Sequence, residues 1–336
     1  MNAESSLEHD DVKLAQSLAE DFATAKTQIG RHIIGQDDVV ELCLLTLLVG
    51  GNSLLMGVPG LAKTMLINTI AKVLDLKFSR IQFTPDLMPS DITGTDLVQE
   101  DPETGRRQLV FQAGPVFANI VLADEVNRTP AKTQAALLEA MQEHKVTVQG
   151  TTYPLEEPFF VFATQNPVEL EGTYPLPEAQ LDRFMFEIIL DYLDEESELV
   201  VIRTTTGAPL PELAPVIDAT RLLAYQRLVR QVPLTESVMR YALAITRSTR
   251  PQPEGTPEPV ERWVTYGASV RAAQYLVLGA KARAAMHGRT HADFDDVRAM
   301  ATPVLRHRLV TNFQAEADGV DAADVVRALL DVIPQS

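Results

Sequence analysis

The chain has 336 residues, 46% of them hydrophobic and 22% charged, and its 29 Lys and Arg against 46 Asp and Glu give a net charge of −17. That length suits two domains with real cores, and the negative charge speaks against duplex binding through general phosphate neutralisation, though a local basic loop or pore remains compatible with it. The longest apolar runs, such as Leu42–Val49, fall short of a membrane span, the acidic start Met1-Asn2-Ala3-Glu4 has no signal-peptide pattern, and the single Cys43 sits in an apolar run, so a core cysteine in a cytoplasmic protein is expected.

Residues 1–25 read as an acidic N-terminal arm that ends in an amphipathic helix marked by Val12, Leu14, Leu18 and Phe22. After His32-Ile33-Ile34-Gly35-Gln36 comes an apolar helix over Val39–Leu48. The run Leu54-Leu55-Met56 then enters Gly57-Val58-Pro59-Gly60-Leu61-Ala62-Lys63-Thr64. A strand, a glycine turn and Lys-Thr at a helix start form a cradle for nucleotide phosphates. Backbone N–H groups face the anion, Lys63 reaches the terminal phosphates and the Thr64 hydroxyl is placed to ligate Mg²⁺. Ala62 occupies the second glycine position of the general pattern; its dihedrals are expected to be ordinary, with room for the methyl.

A further strand is predicted around Phe78–Phe83. The stretch 84–115, punctuated by Pro85, Pro89, Gly94, Gly105 and Gly114, is too long for a simple connection. A short helix or a hairpin is expected there, with Thr95–Gln99 pairing with Arg107–Phe111 across Asp101–Gly105. Val121-Leu122-Ala123 is an apolar strand that ends in Asp124-Glu125, about sixty residues after Lys63. Asp124 is placed to hold Mg²⁺, directly or through water, and Glu125 to orient or activate a water for attack on the γ-phosphate; an acidic surface turn is the plainer alternative for the pair taken alone. A helix over Pro130–Gln142 and a tight hairpin within 144–155, turning at Gln149-Gly150, follow. The strand Phe159–Thr164 ends in Gln165-Asn166-Pro167, where Asn166 is either a neutral amide that polarises the attacking water or an ordinary Asn-Pro turn. With the strand Met185–Ile189, the alternation from Leu54 onward predicts a mostly parallel sheet with helices on both faces.

Beyond Tyr192 the strand signal stops. Residues 196–215 read as a linker, and 216–336 as a small all-α domain with helices near 218–230, 235–248, 269–286, 293–309 and 321–331. An extended Pro-rich loop is expected at 251–259. Trp263 is expected in core or interdomain packing.

Together these motifs resemble the AAA+ ATPases, and specifically the MoxR family of the helix-2-insert clade. Gly57–Thr64 is similar to that family's variant Walker A, and Ala123-Asp124-Glu125-Val126-Asn127-Arg128-Thr129-Pro130 with Leu137–Glu143 to its Walker B signature. Ala163–Pro167 resembles its sensor 1, Leu176–Phe184 the segment bearing its arginine finger, and Tyr266–Ala272 its sensor 2, with Val270 where the family commonly has proline. The resemblance covers roughly residues 25–310. It implies a P-loop NTPase αβα sandwich over 26–195, carrying the helix-2 insert and the pre-sensor-1 hairpin, followed by the α-helical lid. It further implies a ring, usually a hexamer, with ATP and Mg²⁺ between subunits. Arg183 would then act in the neighbour's site and Arg271 in its own, while Arg128 either crosses the interface or pairs structurally. Ile33, Ile34 and Gly35 resemble the segment lining the adenine pocket, with core packing the equal alternative.

The implied function is ATP-driven, chaperone-like remodelling or maturation of protein complexes, ATP binding closing the lid on the large domain, with a von Willebrand factor A domain protein as partner. Three alternatives stand beside it. One is a magnesium-chelatase-type motor subunit. Another is a nucleic-acid-dependent ring motor, which needs cations on the insertion loops; there Arg106, Arg107 and Lys145 are offset by Glu100, Asp101, Glu103 and Glu143. The last is a nucleotide-dependent scaffold, against which Glu125 and Arg183 speak.

Overall fold

A computed structural model describes residues 3–100, 107–167, 172–207, 210–252 and 254–335, with side chains from residue 12 onward. The turn at 101–106, including Arg106, lies outside the described residues, as do residues 208, 209 and 253 of the expected linker and Pro-rich loop.

Two helices precede the sheet, α1 (Ala3–Gly30) and α2 (Asp37–Val49). The expected N-terminal arm is not a separate element. In α1, Leu18, Phe22, Ala25 and Ile29 recur at helical spacing and are wholly buried, and Asp21 accepts a hydrogen bond from the Tyr225 hydroxyl (2.6 Å) and pairs with Arg221 (2.8 Å) in the helical domain. The α2 helix is apolar on nearly every side because it lies between sheet and helical domain, and Cys43 is fully buried there, its thiol pushed far above the ordinary range by desolvation.

Strand β1 (Ser53–Met56) leads through the glycine turn into α3 (Lys63–Val73), and β2 (Phe78–Gln82) follows. The stretch 84–115 holds both elements considered for it. Helix α4 (Pro89–Thr93) comes first, then β3 (Gly94–Glu100) paired antiparallel with β4 (Arg107–Ala113), Thr95 opposite Gln112 and Gln99 opposite Gln108. Next come β5 (Ile120–Asp124), a 3-10 turn at Val126–Arg128, α5 (Ala131–Glu143) and the hairpin β6 (Lys145–Val148) and β7 (Thr151–Pro154). The hairpin turns through Gln149 (φ 49°) and Gly150 (φ 86°), both left-handed as a two-residue turn requires. The ring of Phe111 stacks on Tyr153 at 3.9 Å and 12°, joining the two hairpins. Strand β8 (Phe160–Gln165), α6 (Glu178–Leu181) and β9 (Phe186–Ile189) complete the large domain.

The sheet has five parallel strands in the order β2-β5-β8-β1-β9. Its central strands are apolar on both faces, as a sheet covered on both sides demands.

Residues 196–205 of the expected linker belong to helix α7 (Glu195–Thr205), capped by Asp194, which accepts from the Ser197 N–H at 2.9 Å. The helical domain comprises α8 (Ala219–Gln231), α9 (Glu236–Ser248), α10 (Glu258–Trp263), α11 (Val270–Met286), α12 (Phe294–Leu305), α13 (Phe313–Asp318) and α14 (Ala322–Val332). It also carries a small antiparallel ribbon, β10 (Val264–Tyr266) with β11 (Val310–Thr311). One buried core runs without a break from α1, α2 and α3 through β1 and β9 into α8, α9, α11, α12 and α14, and a second lies under the other face of the sheet against α5. Among the described residues, no helix is long and apolar enough to cross a membrane.

Candidate functional site

Parallel register brings three of the motifs together. Met56 lies opposite Gln165 and Ala123 opposite Ala163, so the glycine turn after β1, Asp124-Glu125 at the end of β5 and Asn166 after β8 share the carboxyl edge of three adjacent strands. This is where open α/β sheets bind ligands.

In the glycine turn, a Cβ on Gly57 would stand 2.8 Å from the Leu190 carbonyl oxygen, and Gly60 has φ +92°, so both positions need glycine. The expectation for Ala62 is corrected. It has φ 58° and ψ 23°, a left-handed conformation, and α3 begins only at Lys63. The glycine of the general pattern therefore answers a real backbone need, which alanine meets under strain of roughly 1–2 kcal/mol. Lys63 is half-buried. Its ammonium donates to the carbonyls of Gly57 and Val58 (3.3 Å to the latter), folding over the turn that its N–H groups line. Burial lowers the Lys63 pKa, and the charges of Asp124 and Glu125 pull it the other way. Thr64 follows it in the first turn of α3.

Asp124 is almost fully buried. Its Oδ1 accepts from the Thr164 hydroxyl at 2.6 Å and its Oδ2 from Arg80 Nε (3.0 Å) and Nη2 (2.5 Å). Arg80 takes up Oδ2 and Thr164 one direction of Oδ1, so the carboxylate keeps acceptor capacity for a hold on Mg²⁺, direct or through water. Glu125 lies outside the strand in the left-handed region (φ 58°), and its N–H donates to the same Thr164 hydroxyl at 2.8 Å. Its carboxylate accepts from Gln82 Nε2 (2.9 Å) and pairs with Arg128 Nε (3.2 Å), so Arg128 engages Glu125 within its own chain. Asn166 is buried at the strand end.

Beside the glycine turn opens a pocket of about 420 Å³ lined by Ile33, Ile34, Pro59, Leu61, Tyr192 and Ile202 among others, apolar enough for a purine. Gly35 does not line it. With φ +70° it lets α7 lean in, since a Cβ there would meet the Ser197 side chain at 2.8–2.9 Å.

The two arginines stand elsewhere. Ser53 pairs with Phe186, and the Met185 N–H donates to Asn52 O (2.6 Å), so the segment bearing Arg183 sits at the amino ends of β1 and β9, a strand length (roughly 13 Å at 3.3 Å per residue) from the glycine turn. Arg271, capped into α11 by Ser269, pairs with Asp182 at 3.0 Å. Asp182 also accepts from Ser269 (3.0 Å) and from the buried Arg308 (2.9 Å), while the Tyr275 hydroxyl donates to the Arg183 carbonyl at 3.2 Å. Arg271 is therefore not in the phosphate cradle of its own chain, as expected of it; it shares a face with Arg183. The physical reason is the pose of the helical domain, fixed by Arg308, which binds the carbonyls of Asp182, Phe184 and Met185 and holds α11 at that end of the sheet.

Sequence reasoning did not single out Thr164, Arg80, Gln82 or Asp182 for these contacts. A lone hydroxyl next to the end of an otherwise apolar strand was the available signal for Thr164; the others are brought in by strands and loops far apart in sequence.

The protein-family model described as "ATPase family associated with various cellular activities (AAA)" matches residues 52–186, and the AAA lid domain model matches residues 260–329. The chain is 41% identical to the chaperone MoxR1 of Mycobacterium tuberculosis over 95% of this chain and 84% of that one, and 41% identical to the protein YeaC of Bacillus subtilis over 92% and 93%. A crystal structure from Cytophaga hutchinsonii, whose description proposes an ATPase, superposes with a TM-score of 0.90 at 41% identity over 98% of each chain. A parallel sheet with its motifs on one edge, a helical lid domain and relatives matched along nearly their whole length converge on one assignment: the chain belongs to the MoxR family of AAA+ ATPases.

Proposed function

We propose that the protein hydrolyses ATP at a site completed by a neighbouring copy in a ring, a hexamer by family likeness, and uses the cycle for chaperone-like remodelling of protein complexes. The observation that carries this reading is the separation of parts: cradle, carboxylates and Asn166 lie on one edge of the sheet, Arg183 and Arg271 at the other end. A head-to-tail arrangement of identical chains brings the two sets together.

Within such a site the glycine turn and Lys63 hold the phosphates, Ile33 and Ile34 flank the base, and Glu125, steadied by Gln82 and Arg128, accepts the proton of the attacking water. Mg²⁺ held by Thr64 and by Asp124, directly or through water, would neutralise phosphate charge. Asn166 polarises the water, and Arg183 and Arg271 of the next copy stabilise charge on the transferred phosphoryl. The exposed Leu97, Val98 and Leu109 on the first hairpin suit contact with protein chains better than with nucleic-acid phosphates. By family likeness the partner is a von Willebrand factor A domain protein.

The test is ATPase activity against concentration, with mass measurement, for wild type, Glu125→Gln, Lys63→Ala, Arg183→Ala and Arg271→Ala. Specific activity should rise with concentration, and Glu125→Gln should assemble with trapped ATP. Each arginine variant should lose about 10³-fold or more. Mixing Lys63→Ala with either arginine variant should restore activity, because mixed rings then contain complete sites. A monomer that turns over at a concentration-independent rate, or mixtures as inactive as their parts, would refute the shared site.

A further inference from the structure

A groove larger than the nucleotide pocket lies on the helical domain. It measures about 820 Å³, runs between α9 and α11, and has Met239, Leu243 and Leu278 on its floor with Arg230, Arg240 and Arg271 on its walls. Met239 and Leu243 are 50% and 42% exposed. Arg247 and Arg250 continue the cationic edge along the adjoining hollow. The acid on the groove wall, Glu236, is already paired with Arg240 at 2.5 Å. On a chain of net charge −17 this is a concentrated basic and apolar surface.

Its chemical complement lies on the same chain. Helix α7 has no buried residue in its eleven, and Leu199 and Val200 stand exposed on it away from the pocket, Val200 by 43%. Leu199 and Val200, with Glu195 and Glu196 one turn before them, form one face at i, i+1, i+4 and i+5. Five acids, Asp191, Asp194, Glu195, Glu196 and Glu198, crowd its amino end. The other side of α7, through Glu198, Val201, Ile202, Thr204 and Thr205, borders the nucleotide pocket.

We infer that α7 of one copy seats in the α9–α11 groove of the next, its apolar stripe on Met239 and Leu243 and its acids against Arg240 and Arg247. The occupant is a second copy of this chain because the charges match and because the seat agrees with the site. Arg271 bounds the groove and α7 bounds the pocket, so docking one into the other carries the guanidinium toward the neighbour's nucleotide. The apolar patch on α7 also explains itself, since it is covered only in the assembly. Nucleotide in the pocket orders the inner side of α7, so occupancy and docking reinforce each other. The inference rests on the shared-site reading and specifies its contact.

The test is charge exchange, in the Glu125→Gln background with ATP and Mg²⁺, by sedimentation velocity. One variant carries Glu195→Arg with Glu196→Arg, the other Arg240→Glu with Arg247→Glu; all four side chains are exposed. Each alone should assemble at least about tenfold more weakly than its parent, with unchanged circular dichroism and thermal unfolding. The two mixed should recover, because alternating copies restore opposite charges at every seam. If each folded variant assembles like its parent, or mixing gives no recovery, the seat is wrong while the ring stands. If the Glu125→Gln parent itself stays monomeric with ATP, the shared-site reading fails and this inference falls with it.

Discussion

Thr164→Val isolates the hydroxyl that ties the two acidic residues of the site together. Valine keeps the shape, so no cavity opens; what is lost is the 2.6 Å bond to Asp124 and the partner of the Glu125 N–H at 2.8 Å. A buried donor left without a partner costs about 1–3 kcal/mol, and a bond to a carboxylate contributes about 1.5–3 kcal/mol. Thermal unfolding should therefore fall by several degrees. The effect on turnover has a separate origin. Glu125 is held at φ 58°, a conformation worth roughly 1–2 kcal/mol of strain, and the Thr164 bond anchors its N–H there, beside the Arg128 N–H bond to its carbonyl. Released, the residue relaxes and its carboxylate leaves the place set by Gln82 and Arg128. A loss of about 1.4–2.8 kcal/mol of positioning is ten- to hundredfold in kcat, with KM for ATP little changed because the glycine turn is untouched. Thr164→Ser keeps the hydroxyl, gives up one methyl at about 1 kcal/mol, and should hold kcat within about threefold. Steady-state ATPase assays with thermal melts of both variants decide it. Wild-type kcat in Thr164→Val, or Thr164→Ser as impaired as the valine, would refute the positioning role.

Ala62→Gly should leave stability unchanged or raise it by up to about 1 kcal/mol, relief of the left-handed strain outweighing the freer unfolded chain; a loss of about 1 kcal/mol, as in an ordinary helix, would show that Ala62 is not left-handed in solution. The His307 side chain is buried and its pKa is pushed well below the ordinary value, first by desolvation and then by Arg308. The unfolded chain takes up that proton near pH 6.5 and the folded chain does not, so this contribution is complete above about pH 6.5 and declines below it by up to about 1.4 kcal/mol per pH unit. Denaturant midpoints from pH 5 to 8 should show a shallower acid slope for His307→Gln; identical slopes would assign the acid sensitivity elsewhere. Tyr153→Ala removes the stack on Phe111, worth about 0.5–1.5 kcal/mol, and should speed amide exchange in both hairpins; a change confined to β6 and β7 would mean that the hairpins move independently.

The strand-end motifs were legible because each joins an apolar run to residues whose chemistry is specific, and parallel register then brings them to one edge without further instruction. Ala62 was misread because its left-handed backbone is imposed by the turn, and alanine carries no local signal of it. Arg271, expected beside the cradle of its own chain, stands beside Asp182 instead, because its position depends on how Arg308 and Asp182, 126 residues apart, fasten the helical domain to the sheet. The apolar stripe of α1 was visible in Leu18 and Phe22, but a stripe does not say what covers it. Helix α7 was read as linker because it buries nothing and so shows no inward-facing period, and β10 and β11 are too short to leave one.

The unbroken core shared by sheet and helical domain bears on how work is done. Moving α11 against β9 within one chain would pull apart packed Met185, Leu276, Met300 and Val304, all nearly or fully buried in that core, and dense interiors transmit displacement rather than absorb it. A chain built this way behaves as a stiff link with two differently shaped ends. In the proposed ring, compliance would be concentrated at the joints between links, where the nucleotide would sit, and a shift of a few degrees at one joint would carry across the width of the next copy.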